Sequence, residues 1–217
     1  MRCRHVTVRT GLYVALALLP LVLLWPALRH AVESHMSLHM LGEFPALFVA
    51  GWSASRLCRL HAGGRRWLHT FRALDWQGWT GATLTTGVAL VWMLPSALDD
   101  ALLSGAVAAA KVTSWWLAGW LLAGSWRRLQ PEVLVFFVGN LAWMTATAGM
   151  LYIDAPARLC VSYLQDDQRH AGIGLVLLAC GLGALALRQV LRPGTDAPDT
   201  TDGCTPGARR EAGIGHA

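Results

Sequence analysis

The stretch SGAVAAAKVTSWWLAGWLLAGS, residues 104–125, carries a single charged side chain, that of Lys111. An apolar run of this length crosses the hydrocarbon core of a bilayer, about 30 Å thick, as one α-helix. Comparable apolar runs occupy residues 10–28, 38–55, 79–97, 132–152 and 171–190. The sequence therefore predicts an all-α integral membrane protein, a bundle of six transmembrane helices within residues 1–192.

The composition supports the same class of protein. Of the 217 residues, 54% are hydrophobic and 14% are charged, which is too apolar for a soluble domain of this size. The five cysteines form no C-x-x-C pair, which argues against a zinc or thioredoxin-like motif. Residues 193–217 are rich in Gly, Pro, Thr and Asp without an apolar period, so they are predicted to form a disordered cytoplasmic tail.

The distribution of arginine predicts the orientation. If the N-terminus is cytoplasmic, the three arginines of the outer loops are Arg29, Arg158 and Arg169, and the other fourteen lie in inner segments. Because inner loops of membrane proteins are enriched in basic residues, we expect both termini in the cytoplasm of a bacterial inner membrane protein. Topology also accounts for the net charge of +5, so no nucleic-acid partner is predicted. We expect the first apolar run to stay as an uncleaved helix, because it lacks a signal-peptidase site of small residues.

Potential metal ligands gather in the segment HAVESHMSLHMLGEFP, residues 30–45, at the outer face. An imidazole suits copper, zinc, iron and nickel, whereas a thioether selects for Cu(I). The alternative is that these histidines only hydrogen-bond in the headgroup layer and the methionines fill the core. On a continuous helix the ligands would form two stripes, His35, His39 and Glu43 on one and Met36 and Met40 on the other.

A third histidine precedes the last apolar run at the same membrane face. His170 is predicted to join His35 and His39 in one metal site, with Asp167 accepting a hydrogen bond from a ligating ring and Gln168 beside it. A second interpretation makes the protein a b-type cytochrome, with His39 and His170 as axial ligands of a haem.

Glu43 lies deeper than His39 in the second apolar run, where an unpaired carboxylate would be costly. Lys111 lies at a comparable depth in the fourth run, so an intramembrane Glu43–Lys111 ion pair is predicted. Asp100 is the competing partner for Lys111. Such a pair can be structural or can take part in a proton relay.

Two segments resemble a known family. HMSLHMLGEFPALFVAGW, residues 35–52, and LQDDQRHAGIGLVLLACG, residues 164–181, are similar to segments of the CtaG-type cytochrome c oxidase assembly proteins. These are polytopic membrane proteins linked to copper insertion into haem–copper oxidases. The resemblance implies functional roles for matching residues in both segments, and cytochrome c oxidase subunits as partners. The matching residues are His35, His39, Met40, Asp167, Gln168 and Gly172.

The function expected from these observations is that of a copper-binding assembly factor rather than an enzyme. Copper insertion proceeds by ligand exchange and needs no catalytic acid, base or nucleophile. The sequence contains no G-x-S-x-G, H-E-x-x-H or phosphate-loop motif. The alternatives are the b-type cytochrome and a six-helix scaffold or small-solute transporter without a metal.

Overall fold

The computed structural model describes residues 2–23, 25–60, 75–157 and 163–191, and within these ranges the regular structure is entirely helical. The tail predicted at residues 193–217 lies outside the described residues. In chain order the helices are α1 (Arg2–Leu23), α2 (Pro26–Glu33), α3 (Met36–Leu38), the π-helix π1 (His39–Glu43), α4 (Phe44–Leu60), α5 (Trp79–Trp92), α6 (Pro95–Leu103), α7 (Gly105–Ser125), α8 (Pro131–Asp154) and α9 (Gln165–Val190).

Several of these helices can cross a bilayer. α7, α8 and α9 are each long and apolar enough, and α5 together with α6 passes the same test as one bent unit. A shorter apolar stretch, Thr10–Pro20, lies within α1. The chain is therefore a multi-pass membrane protein with three or four such spans among the described residues.

Prolines divide two of the apolar runs that the sequence analysis treats as continuous. In the run at 79–97, α5 ends at Trp92 and α6 begins at Pro95, with an angle of 77° between them. The residue before a proline avoids the helical region, and Leu94 is accordingly extended, with φ −76° and ψ 130°. In the run at 10–28, Pro26 likewise begins a second helix, α2.

The π-helix changes the geometry expected for the segment at residues 30–45. The backbone N–H of Phe44 donates to the carbonyl of His39, five residues back, and Pro45 has no N–H to continue an ordinary α-helical ladder. His35 lies before this helical segment in an extended conformation and is exposed. The predicted stripe of His35, His39 and Glu43 is therefore wrong at His35, which lies outside the helix and is exposed. His39 and Glu43 do remain neighbours, with Nε2 3.6 Å from Oε2.

Glycines permit two close helix crossings. A Cβ atom at Gly51 of α4 would overlap the backbone of Trp116 in α7, and one at Gly119 of α7 would overlap the backbone of Phe48. In the second crossing, a Cβ at Gly149 of α8 would lie 2.8 Å from the carbonyl oxygen of Gly172 in α9. Small residues at such crossings let helix backbones pack directly. The two tight pairs, α4–α7 and α8–α9, are joined where α9 contacts α3 and π1.

Candidate intramembrane polar site

A lysine fully enclosed by protein is the centre of the site. Lys111 Nζ lies 2.7 Å from Glu33 Oε1, 2.8 Å from Glu43 Oε1 and 3.1 Å from His39 Nε2. The Lys111 side chain has no exposed surface. An ammonium group has three N–H donors, and these three contacts use all of them. Helix α7 thus carries a cation that binds α2 and π1 together.

His39 uses both ring nitrogens. Its Nδ1 lies 2.7 Å from the hydroxyl of Tyr163, and both side chains are buried. Because an ammonium can only donate, Nε2 of His39 accepts from Lys111, and the network then assigns the ring proton to Nδ1, which donates to Tyr163. In this state His39 offers neither nitrogen to a metal ion.

The network reaches the surface of the protein through α2. Arg29 Nε donates to Glu33 Oε2 at 2.9 Å, and the Arg29 side chain is partly exposed whereas Glu33 is buried. Two cationic side chains thus balance the two carboxylates of Glu33 and Glu43. Such pairing is what makes ionised groups tolerable away from water.

One oxygen of this network has no hydrogen-bond partner among the described residues. Glu43 Oε2 is buried and lies 3.6 Å from His39 Nε2, while the other carboxylate oxygen takes the bond from Lys111. Buried polar atoms in native proteins are nearly always satisfied. Among the described residues, the carboxylate of Glu43 is therefore held through one oxygen, by Lys111.

Asp167 joins the segment at residues 164–181 to the segment at residues 35–52. Its carboxylate accepts hydrogen bonds from the backbone N–H of Met36 and from Ser37 Oγ, the latter at 2.7 Å. Asp167 Oδ2 also lies 4.0 Å from Nδ1 of the exposed His35. The carboxylate thus satisfies the start of α3, where free N–H groups favour a negative charge.

The next residue of α9 makes a different contact. Gln168 is buried, and its side-chain amide donates to the carbonyl oxygen of Tyr152 at 3.2 Å. This bond joins the first turn of α9 to the end of α8. Asp167 and Gln168 therefore position the first turn of α9 against two different elements.

Removing the Asp167 carboxylate is expected to weaken this junction. In Asp167→Ala the buried N–H of Met36 loses its acceptor, so the free energy of unfolding should fall by about 1–3 kcal/mol. Thermal unfolding of the detergent-purified protein measures the change. Asp166→Ala, at the exposed neighbouring position, is the matched control and should leave the melting curve nearly unchanged. Equal melting curves for the two variants would contradict the role assigned to Asp167.

The three predicted histidine ligands do not form a metal site in the described part of the chain. Met36, His39 and Met40 are buried side chains of the core, whereas His35 and His170 are exposed. Within the described ranges no three His, Cys, Asp or Glu side chains are arranged to hold a metal ion. The expected convergence of His35, His39 and His170 is therefore absent from the described residues. A haem ligand at His39 would likewise have to displace Tyr163 or Lys111.

The ion pair expected from residue depth is present, but Lys111 also contacts Glu33 and His39, which were not predicted as its partners. Glu43 and Lys111 are in contact, and the donors of Lys111 are used without Asp100. Glu33 and Tyr163 were not among the residues predicted for this site. The i, i+4 spacing of Arg29 and Glu33 could have indicated that Glu33 forms an ion pair.

Comparisons of this chain with protein-family models, with curated proteins and with solved structures found no match.

Proposed function

We propose that this protein is a membrane-embedded assembly factor that passes copper to a haem–copper cytochrome c oxidase. The observation that carries the proposal is the contact made by Asp167. The two segments resembling CtaG-type proteins lie about 130 residues apart in sequence, and Asp167 of the second binds Met36 and Ser37 of the first. Two segments that together form one functional site are expected to be in contact in the folded protein.

The donor chemistry of the first segment suits copper as cargo. Thioethers prefer Cu(I), and Met36 and Met40 flank the buried His39 in sequence, on α3 and π1. A transfer protein needs ligands that release the ion, and thioethers meet that need better than thiolates. In this proposal Met36, His39 and Met40 take the ion, and His35 and His170 are not required.

Lys111 is proposed to regulate access to His39. Its ammonium donates to Nε2, the nitrogen that a copper ion would use, and its positive charge opposes a second cation nearby. Copper loading would therefore exchange one cation for another beside Glu33 and Glu43. This competition would keep the copper affinity of the site moderate and the ion transferable.

The proposal includes the orientation expected from the sequence. Six spans with both termini in the cytoplasm would place the segment at residues 30–45 on the periplasmic side of a bacterial inner membrane. The observed α7, α8 and α9 supply three of these spans. Cytochrome c oxidase subunits in the same membrane are the proposed recipients of the copper.

Deletion of the gene in its host tests the proposal. The oxidase purified from the deletion strain should be deficient in copper, and added copper in the medium should partly restore it. A Met36→Leu/Met40→Leu double variant should fail to complement, whereas Met150→Leu, which alters an exposed methionine of α8, should complement fully. Full copper occupancy of the oxidase in the deletion strain would overturn the proposal.

A second candidate function is intramembrane proton transfer. A continuous series of contacts leads from the partly exposed Arg29 through Glu33, Lys111 and His39 to Tyr163. Ionisable residues inside membrane proteins commonly mark such pathways. Proton flux into liposomes containing the protein, reduced in His39→Phe, would favour this function, and flux equal to that of empty liposomes would exclude it.

A further inference from the structure

Arg56 lies on a stripe of α4 that is otherwise apolar and exposed. Val49, Arg56 and Leu60 follow one another at i, i+7 and i+11, which places them on one face of the helix. Val49 and Leu60 are 40% and 59% exposed. In a multi-pass membrane protein, exposed apolar side chains of this kind contact lipid. Arg56 is therefore a cation on a face of α4 that is turned towards the bilayer.

The guanidinium group of Arg56 is positioned by tryptophans. Its Cζ atom lies 5.4 Å from the ring centroid of Trp52, an arrangement in which the face of the indole attracts the cation. The ring of Trp52 in turn meets Trp126 edge to face, with centroids 5.6 Å apart. Trp126 is the C-cap residue of α7. The charge of Arg56 is thus held near the end of α7.

The pairing of α4 with α7 gives the depth of Arg56 in the membrane. Gly51 packs on the backbone of α7, and further along α4 the Arg59 side chain donates to the carbonyl of Ala123. Arg56 lies between these contacts and is therefore level with the last turns of α7, which ends at Ser125. The 21 residues of α7 span about 31 Å, so its ends lie at the edges of a hydrocarbon core of about 30 Å. This is a depth from which an arginine reaches the phosphate layer.

The described residues supply no anionic partner to Arg56. Its Nε atom is buried without a hydrogen-bond acceptor, and none of the described carboxylates forms an ion pair with it. The next acidic residue along the chain is Asp75, whose Oδ2 accepts from Ser125 and lies 3.6 Å from Arg128 Nη1. Residues 57–74 contain four further arginines and no aspartate or glutamate. A cation at a membrane surface normally has a counterion.

A lipid phosphate has the geometry and the charge that this position requires. The planar guanidinium fork matches two oxygens of a phosphodiester and can bind them together. A zwitterionic headgroup would also bring its own ammonium group close to several arginines, which would repel it. An anionic headgroup brings no such cation, and basic clusters between helices at the cytoplasmic end of membrane proteins bind anionic lipids.

We propose that Arg56 binds the phosphodiester of an anionic phospholipid of the phosphatidylglycerol type. Trp52 orients the guanidinium, the neighbouring arginines favour the anionic headgroup, and the acyl chains lie along the exposed stripe that contains Val49. Lipid binding here does not require copper transfer. It concerns the end of the α4–α7 pair that is remote from Lys111.

Native mass spectrometry of the full-length protein in a mild detergent, titrated with dioleoyl-phosphatidylglycerol or dioleoyl-phosphatidylcholine, tests the proposal. The wild-type protein should bind phosphatidylglycerol at least about fivefold more tightly than phosphatidylcholine. Arg56→Gln should raise the Kd for phosphatidylglycerol about 5–10-fold. Arg56→Lys keeps the charge but loses the fork, so its Kd should rise about 2–3-fold. Arg169→Gln, the same change of charge at an exposed position in the first turn of α9, should leave the Kd unchanged.

Three results would overturn the proposal. The first is an equal affinity of the wild-type protein for phosphatidylglycerol and phosphatidylcholine. The second is an equal Kd for Arg56→Gln and Arg169→Gln or, if Arg56→Gln fails to fold, for Arg56→Lys and Arg169→Gln. The third is displacement of phosphatidylglycerol by an equal concentration of inorganic phosphate, which would assign Arg56 to a free anion instead of a lipid.

Discussion

Lys111→Met is expected to lower the free energy of unfolding by about 3–5 kcal/mol, the largest effect of any single substitution considered. Methionine fills a similar volume but supplies no donor. The substitution leaves the carboxylates of Glu33 and Glu43 buried without their shared cation, and Nε2 of His39 without its hydrogen bond. Unfolding of the purified protein in mixed micelles by a denaturing detergent measures the loss.

The matched control removes the charges together. In Lys111→Met/Glu43→Gln, Arg29 still neutralises Glu33, so much of the lost stability should return. The coupling between the two substitutions should then reach about 1–3 kcal/mol. Strictly additive destabilisation by Lys111→Met and Glu43→Gln would show that the two side chains do not interact.

A bulky substitution at the α4–α7 crossing is expected to lower the free energy of unfolding almost as much. Gly119→Leu would place a large side chain against the backbone of Phe48, where even a Cβ atom overlaps, so the helices would have to separate. Overpacking of this kind costs about 1–3 kcal/mol or more. The same detergent-unfolding measurement reports the change.

Gly124→Leu on the same helix is the control for this crossing. A Cβ atom at Gly124 would have no neighbour within 4 Å, so this variant should unfold like the wild type. If Gly119→Leu is tolerated equally well, α4 and α7 do not cross closely at Gly119.

The sequence predicts the long helices well because the bilayer sets their length. The runs at 104–125 and 132–152 correspond closely to α7 and α8. Helix boundaries are predicted less well where a proline interrupts an apolar run. Hydropathy alone does not distinguish one straight helix from two helices at an angle. Pro26 and Pro95 each carried the missing information, since proline cannot continue a preceding helical ladder.

The polar site was only partly predictable. The depth of Glu43 and Lys111 along two helices was sufficient to pair them, because an unpaired charge in the membrane is costly. Glu33 reaches Lys111 because α2 packs on π1, and that packing has no local sequence signal. The π-helix likewise depends on how the chain accommodates Pro45, and it turns His39 into the core while His35 stays outside.

The proposed copper transfer requires that the segment at residues 30–45 bind copper. Cu(I) titration of the detergent-purified protein against a competing chelator, combined with X-ray absorption spectroscopy at the copper edge, tests this claim. We predict one Cu(I) per chain with sulfur ligands, lost in Met36→Leu/Met40→Leu and retained in His170→Gln. No binding, binding that the Met36→Leu/Met40→Leu substitutions do not change, or a stoichiometric haem Soret band in the purified protein would contradict the account.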